Sequence, residues 1–517
     1  MSPALVRRTT TTESNEDQRG SALYALWALS ERKSIWLLST SGVKKAGRVR
    51  RLTGLDASYL SVELPEQPVN IMALALLRPP SDVDGAPLPL TLDDVRRHVA
   101  RRLNEVPEFR LVVKHVPFGL RHPVLVDACT FDLDDHLAYA VLPAPGGDAE
   151  IDGLYGHLAE QHLDRRRPLW RLTLVDGLAD CRQALVLQVQ HCLMDGTGIA
   201  GALGRIFTAG DHDPDAGTGW HPERPPGWLR LLVGGAVRQI RMLGRIPGLL
   251  NRTGRAAAAV KARASQSGIT VPQQGAGPPV CLINRGLSAQ RRFAHMTVDL
   301  ADVRVVKESA EATVNDVVLA MVAGSLRRYL VARNDLPEEP LVANVPVSMD
   351  GPGASGRVSG NRVSRLLTTL ATDVADPWER LTVIHEVTRE SKTRLHLAGP
   401  DLLNDWLEIL PPFTIKSVVR LSQRRRQQGR DWLDANVVVS NMRGPAEPWM
   451  FGSAVAEELY MTGPPFAGMG IVILLWDYAG KLRFGILSTA DSIDDSAELV
   501  EGLRASLREL VAISRRA

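Results

Sequence analysis

The sequence predicts an α/β protein of α+β character, arranged as two halves of similar size. Three observations carry that prediction. Short apolar runs closed by proline or glycine alternate with segments whose apolar residues recur at helical spacing. Near the middle, a stretch crowded with Asp, Gly and Pro and then an Ala-, Gly- and Gln-rich one interrupt the alternation. The length of 517 residues, 44% hydrophobic, is ample for roughly two to four domains with full cores.

Residues 1–45 read as an extension. The first twenty are rich in Thr, Ser and charge and fit disorder, while Leu23, Leu26, Trp27, Leu29, Trp36 and Leu37 allow a short helix after them. A first folded domain spans 46–225. In it Ile71–Leu77 reads as a buried strand ending at Pro79-Pro80, and Leu92–Asn104 as a helix with an acidic first turn and later arginines, an order that suits the helix dipole. Ile151–Leu163 reads as a helix, and Leu169–Val175 and Ala184–Gln190 as strands. Asp211–Pro226 reads as a loop. A helical linker spans 226–290; its apolar residues Leu231, Leu232, Val237, Ile240, Leu243 and Ile246 are accompanied by Arg238, Arg241 and Arg245 on a common side, and Gly254–Pro279 reads as the link proper. The second domain, 291–517, is expected to contain strands at Met296–Leu300, Leu341–Val347, Val437–Ser440 and Gly470–Trp476. Its expected helices are Val314–Leu330, with Thr313 as N-cap, and Ser496–Ser514.

Composition narrows the function. The 61 Lys and Arg nearly balance 58 Asp and Glu, a formal net charge of +3, so no chain-wide nucleic-acid footprint exists and none is expected as partner. The four cysteines form no C-x-x-C pair, which argues against a zinc ribbon and for a reducing compartment. No apolar run approaches the roughly 18 residues of a spanning helix, and the polar N-terminus has no signal-peptide core. A cytoplasmic location is expected, with contact at a membrane face left open.

The informative segment is ALVLQVQHCLMDGTGIAG, from Ala184 to Gly201. A strand ends at Gln190, so His191 sits where a fixed backbone can project a ring into a cleft. Neutral imidazole accepts a proton near physiological pH, as a base for a hydroxyl must. Asp195 can orient the loop through an arginine or a backbone donor, and Gly196 permits a turn. Taken alone, a histidine after an apolar strand is more often structural than catalytic. His-x-x-x-Asp can be half of a metal site, but no third ligand stands at suitable spacing, so no metal is expected. Gly196, Gly198 and Gly201 spell G-x-G-x-x-G, yet five residues separate the strand end from the first glycine and the acid of a dinucleotide site is missing. There is no phosphate loop, no G-x-S-x-G elbow and no H-E-x-x-H. Cys192 reads as a small buried residue rather than a nucleophile. Direct transfer is therefore favoured over a covalent intermediate.

With these residues the chain resembles the bacterial wax ester synthase/acyl-CoA:diacylglycerol acyltransferases. The family's H-H-x-x-x-D-G stands here as Gln190-His191-Cys192-Leu193-Met194-Asp195-Gly196. Further blocks fit: Leu55-Asp56-Ala57 with Tyr59-Leu60 and Glu63; Val106-Pro107-Glu108-Phe109-Arg110; Phe131 to His136; and Arg167-Pro168-Leu169-Trp170. In the second half, Val314-Asn315-Asp316-Val317, Pro346-Val347-Ser348, Gly360-Asn361-Arg362-Val363, and Val439-Ser440-Asn441 with Gly444-Pro445 also fit. The likeness runs from about residue 50 to 510. It implies two domains of the chloramphenicol acetyltransferase type flanking a channel, with acyl-CoA as substrate, no cofactor, and a diacylglycerol or fatty alcohol as acceptor. His191 would be the base and Asp195 mainly structural, with Gln190, Gly196, Asn315 and Asp316 supporting the site. Arg165, Arg166, Arg167, Pro168, Leu169, Trp170, Asn361 and Arg362 are candidate substrate or CoA contacts.

One departure stands out: the family's first histidine is Gln190. On a strand, residues 190 and 191 face opposite sides, so Gln190 would point away from the channel. The basic runs at 165–167 and on the linker helix read equally as CoA-phosphate or anionic-membrane contacts and as solvated faces. Peripheral contact with the inner membrane face or lipid droplets is one expectation. Two rivals keep the scaffold: a non-catalytic lipid-binding or lipid-droplet protein, and an acyltransferase using carrier-protein thioesters.

Overall fold

The computed structural model describes residues 49–207, 220–275, 277–286, 288–350, 357–427 and 434–516. The expected extension at 1–45 and most of the loop at 211–226 lie outside them.

The first half runs β1 (Arg50–Arg51), α1 (Gly54–Val62), β2 (Asn70–Arg78), α2 (Leu92–Arg102), β3 (Leu111–Lys114) and β4 (Val124–Asp127). It continues through β5 (Leu137–Val141), α3 (Asp148–Ala159), β6 (Trp170–Asp176), β7 (Gln183–Gln190) and α4 (Gly196–Phe207). Two helices follow, α5 (Trp228–Leu243) and α6 (Ile246–Ser267). The second half opens with β8 (Arg291–Asp299), α7 (Leu300–Ser309), α8 (Val314–Val331), β9 (Val342–Ser348) and β10 (Val363–Thr369). Helices α9 (Pro377–Ala398), α10 (Leu402–Ile409) and α11 (Pro412–Gln427) come next. Strands β11 (Val437–Arg443), β12 (Met450–Phe451), β13 (Ala454–Thr462), β14 (Ile471–Tyr478) and β15 (Lys481–Thr489) lead to the last helix, α12 (Ser496–Ser514).

Two six-stranded sheets organise these elements, in the orders β12-β13-β2-β7-β6-β5 and β10-β9-β11-β14-β15-β8, and a small sheet adds β1-β4-β3. The first sheet is covered on both faces. One side carries a core that includes Ile71, Trp170, Leu187 and Phe451, and the other a core of Met72, Leu74, Tyr155 and Phe293. That double cover explains why β2 reads as an unbroken apolar run rather than an alternation: its first eight residues are all buried. In the second half α8 is apolar around most of its circumference because it is enclosed, with Val317–Leu326 buried among α7, α9 and α12.

Two features depart from the simple reading of halves. Strands β12 and β13 come from the second half but pair into the first sheet, β13 antiparallel to β2. The first sheet thus draws on residues far beyond 225. The second departure concerns Gly254–Pro279: up to Ser267 this stretch is helix α6, and Gly268, at φ +65°, ends it. Its run of alanines favours helix strongly enough to carry the glycine at 254.

The helix that positions the site is α1. Thr53 accepts the Asp56 N–H at 3.1 Å while the Asp56 carboxylate accepts the Thr53 N–H at 2.9 Å, a capping box. Its first residue, Gly54, lies against α10: a Cβ there would fall 2.2 Å from the Leu407 backbone. Gly54→Ala should therefore force α1 and α10 apart and cost about 1–3 kcal/mol, read as a lowered thermal midpoint. An unchanged midpoint would contradict this packing.

Candidate active site

Strand β7 ends at Gln190, held by its N–H to Leu169 O at 3.0 Å, and His191 begins the loop with its N–H on Val69 O at 2.9 Å. These two ladder bonds fix the backbone, and the half-buried ring projects into a cavity of about 1030 Å³. Tyr59, His191, Asp195 and Gly196 line it from the first half; Pro346, Ser348, Asn441, Trp449 and Trp476 line it from the second. Gln190 is not on the lining. It is 1% exposed, its Oε1 accepts the Cys192 N–H at 2.5 Å, and its Nε2 is buried without a partner. Strand alternation thus sends 190 and 191 to opposite sides. Burial pushes the Cys192 thiol well above its ordinary pKa, so it is held protonated.

Two groups hold His191, one at its ring and one at its backbone. Tyr59, three residues after Asp56 on α1, stacks on it with centroids 3.9 Å apart and an interplanar angle of 14°. Asn361, from the second half, donates from Nδ2 to the His191 carbonyl at 2.8 Å and to Asp56 Oδ1 at 2.8 Å, and its N–H donates to Asp56 Oδ1 at 2.9 Å. The Nδ1 atom of His191 and Oδ1 of Asn361 are both buried without a well-formed hydrogen bond. Burial lowers the His191 pKa below its ordinary 6.5. The residue's own carbonyl, Asp195, Asn361 and Asp56 act in the opposite sense without reversing it. The imidazole is therefore neutral at neutral pH, the state a proton acceptor needs. Burial, and after it the charges of Asp195 and Asp56, push the Tyr59 hydroxyl up, keeping it protonated.

Asp195 is 1% exposed, and its oxygens are claimed by the loop rather than by the histidine. Arg357 Nη2 donates to Oδ1 at 2.7 Å and Oδ2 at 2.8 Å, the Arg362 N–H to Oδ2 at 2.8 Å, and the Gly198 N–H to Oδ1 at 2.9 Å. The last bond caps α4. Arg357 is shared with Asp350, at 2.8 Å. A backbone bridge parallels this link: the Gly360 N–H donates to Leu193 O at 2.8 Å and the Asp195 N–H to Gly360 O at 3.3 Å. Gly360 sits at φ +73°, which a side chain would strain. At Gly196 the reason for a small residue is different: a Cβ there would fall 2.3 Å from Met442 Sδ, and the Met442 side chain would have to shift.

The other residues singled out from the sequence fall elsewhere. Asn315 and Asp316 open α8 away from the cavity lining; Asp316 closes a capping box with Thr313 and accepts from His385 Nδ1 at 2.9 Å. Arg165 pairs with Glu63, Arg166 with Asp164 at 3.0 Å, and Arg167 with Asp135 at 2.8 Å, all off the lining. Pro168 and Leu169 are buried, and Trp170 stacks between Phe109 at 4.5 Å and His136 at 4.6 Å while donating to Phe109 O at 2.8 Å. The Arg362 side chain is 63% exposed, so its backbone makes the tie to Asp195. Conversely, Tyr59 and Asp56 entered the sequence reading only as part of a resemblance, and Arg357 did not enter at all. The Thr53-x-x-Asp56 capping signature would have placed Asp56 and Tyr59 on one helical face. Nothing local ties Arg357 to the site, since Asp195 is 162 residues away. Among the described residues no group of three or more His, Cys, Asp or Glu could hold a metal ion.

Residues 52–318 match the family model for the wax ester synthase/diacylglycerol acyltransferase catalytic domain, and residues 359–511 match that for the WS/DGAT C-terminal domain. A Mycobacterium tuberculosis (strain H37Rv) protein bearing the name "Putative diacyglycerol O-acyltransferase Rv0221" is 33% identical over 465 residues, covering 89% of this chain and 96% of its own length. Among solved structures, the wax ester synthase/diacylglycerol acyltransferase from Marinobacter aquaeolei VT8 superposes with a TM-score of 0.63 at 24% identity, covering 90% of this chain and 99% of its own. The first condensation domain of the calcium-dependent antibiotic synthetase superposes with a TM-score of 0.56 at 16% identity, covering 91% and 97% respectively. At such identities these likenesses show the fold, two sheet-rich domains of the acyltransferase type, as the sequence predicts. The paired family models and the mycobacterial relative settle membership: the chain belongs to the wax ester synthase/diacylglycerol acyltransferase family and is an acyltransferase.

Proposed function

We propose that this acyltransferase moves a long acyl chain from the thioester of acyl-CoA to the hydroxyl of a diacylglycerol or a fatty alcohol, with His191 as general base. The observation that carries the reading is the His191 ring, stacked on Tyr59 with its backbone carbonyl held by Asn361, opening into a mainly apolar cavity between the two halves. Only Nδ1 of a histidine can turn toward the residue's own carbonyl, which leaves Nε2 for the substrate. Nε2 takes the proton as the acceptor oxygen attacks the thioester carbon. The carbon–oxygen bond forms, the carbon–sulfur bond breaks, and the imidazolium returns its proton to the departing CoA sulfur. With the Cys192 thiol protonated and off the lining, transfer is direct.

Asp195 serves this scheme through Arg357, and Asn361 is a positioning residue that anchors the carbonyl of the base. Gln190, facing away from the cavity, does not touch the reacting atoms. Loss of the family's first histidine is therefore compatible with turnover.

Three measurements test the reading. His191→Ala should lower ester formation from palmitoyl-CoA about 10²–10⁴-fold while circular dichroism and thermal midpoint stay those of the parent. Undiminished activity would refute the assignment. The proton-accepting form is the neutral one and its pKa is lowered, so kcat/KM should hold as pH falls through 6.5 and decline only below it. A decline centred above 6.5 would contradict the buried environment. Asn361→Ala removes a group that favours the imidazolium, so the acid limb should move further down in pH, and kcat should fall about 10–100-fold with KM little changed. A purely structural role would leave the limb in place.

A further inference from the structure

Helix α1 brings more than a stacking ring to the cavity. Leu55 and Tyr59, one turn apart on one helical face, both line it. The helix is held at three points: the capping box of Thr53 and Asp56, the Asp56 carboxylate on Asn361, and the Gly54 N–H on Glu408 Oε2 at 2.8 Å. Several other polar side chains on the lining are spent on protein partners. Asp195 and Asp350 are bound by Arg357, Arg365 donates to Asp434 at 2.7 Å, Ser364 to Pro400 O at 2.9 Å, and Asn404 to Val363 O at 3.1 Å. The Tyr59 hydroxyl is not spent. It makes no hydrogen bond among the described residues, and unlike Nδ1 of His191 it is not sealed from solvent. A tyrosine hydroxyl inside a protein ordinarily finds a partner, so a free one in a cavity is set for a ligand atom. Burial, and after it the charges of Asp195 and Asp56, hold the proton on this phenol, so the group donates and does not serve as a base. In acyl transfer, negative charge develops on the thioester carbonyl oxygen, one bond from the carbon under attack. That carbon has to lie beside His191, and the phenol ring stacks on the imidazole with centroids 3.9 Å apart.

We propose that Tyr59 is a second catalytic residue, whose hydroxyl donates a hydrogen bond to the thioester carbonyl oxygen as that oxygen takes up negative charge. When the acceptor oxygen bonds to the carbon, the carbonyl π pair moves onto its oxygen, and Tyr59 stabilises it there without giving up its own proton. The pair returns to the carbon–oxygen bond as the carbon–sulfur bond breaks, and the proton taken by His191 leaves with the sulfur. A helix pinned at both its cap and its first residue holds the donor in place before charge develops, which is what such stabilisation requires. The inference rests on the acyl transfer proposed above and adds to it the group that meets the carbonyl oxygen.

The test is Tyr59→Phe in the full chain, which keeps an aromatic ring on His191 and deletes only the hydroxyl. Tyr59→Leu, which removes the stack as well, and His191→Ala are measured beside it, with palmitoyl-CoA as donor and hexadecanol or dioleoylglycerol as acceptor. At an unchanged thermal midpoint, kcat of Tyr59→Phe should fall about 10²-fold. Its KM for palmitoyl-CoA should stay at the parental value, as should inhibition by S-hexadecyl-CoA, a thioether with no carbonyl for the phenol to meet. The acid limb of kcat/KM should also stay in place. A residue that only stacks predicts the opposite order, with Phe at the parental rate and Leu impaired. That order, or a loss in Tyr59→Phe that falls on KM and thioether inhibition rather than kcat, overturns the proposal. Tyr59→Phe at the parental rate with His191→Ala inactive removes the donor and leaves the base. His191→Ala at the parental rate with kcat lost in Tyr59→Phe removes the base and upholds the donor. A parent that forms no ester with either acceptor removes the reaction, and the donor's role with it.

Discussion

The site depends on a buried ion pair that joins two distant parts of the chain. Asp195 belongs to the loop that follows β7, and Arg357 to the segment that precedes β10. Removing one partner of such a pair strands the other's charge and commonly costs about 3–5 kcal/mol, so it is weak as a net source of stability but strict about geometry. Here it fixes the register of two loops, with Gly360 and Leu193 bonded beside it. Asn361 then falls where it can reach the carbonyl of His191, and Arg362 where its N–H meets Asp195. Because the carboxylate is spent on Arg357, it does not act as the third member of a relay. In the proposed scheme the base is the neutral imidazole of His191, with Tyr59 stacked on its ring.

The two halves are interlocked by more than this pair. β13 leaves the second half, pairs with β2 in the first sheet, and lies against β15 so closely that a Cβ on Gly485 would meet Met461 O at 2.3 Å. The cavity walls therefore come from one continuous body, and Trp449 and Trp476 of the second half line the same cavity as the histidine of the first. Such an arrangement holds His191 and the lining at a fixed separation, the contribution that positioning makes to a transfer reaction.

Much of this was legible in the sequence where the controlling interactions are local. The apolar run at 71–77, the helix at 314–330 with its Thr313 cap and the final helix at 496–514 lie where pattern and capping put them. His191 stands out in the sequence because a strand ends one residue before it and an acid and a glycine follow in a loop. What escaped was non-local. Asn361 could be named from a motif but not given its contact with His191, 170 residues away. The capture of β13 by the first sheet pairs Val455 with Arg78 and Thr462 with Met72, a long-range match that nothing in the strand's own composition announces. The Ala-rich stretch after 254 read as a link because its glycines and glutamines resemble a linker, whereas the intervening alanines decide for helix. The sequence shows the charge of the arginines at 165–167 and the Asp164 beside them, but not the pairing of Arg165 with Glu63 and of Arg167 with Asp135.

The account's central claim is that one nitrogen of His191 receives the acceptor's proton inside the cavity between the halves. A crystal structure with a non-hydrolysable acyl-CoA thioether and a long-chain alcohol bound together tests it most directly. The account predicts the alcohol oxygen within about 3 Å of His191 Nε2, beside the carbon that replaces the thioester carbonyl. Both ligands seated with the oxygen on another residue, or outside the cavity, would contradict it.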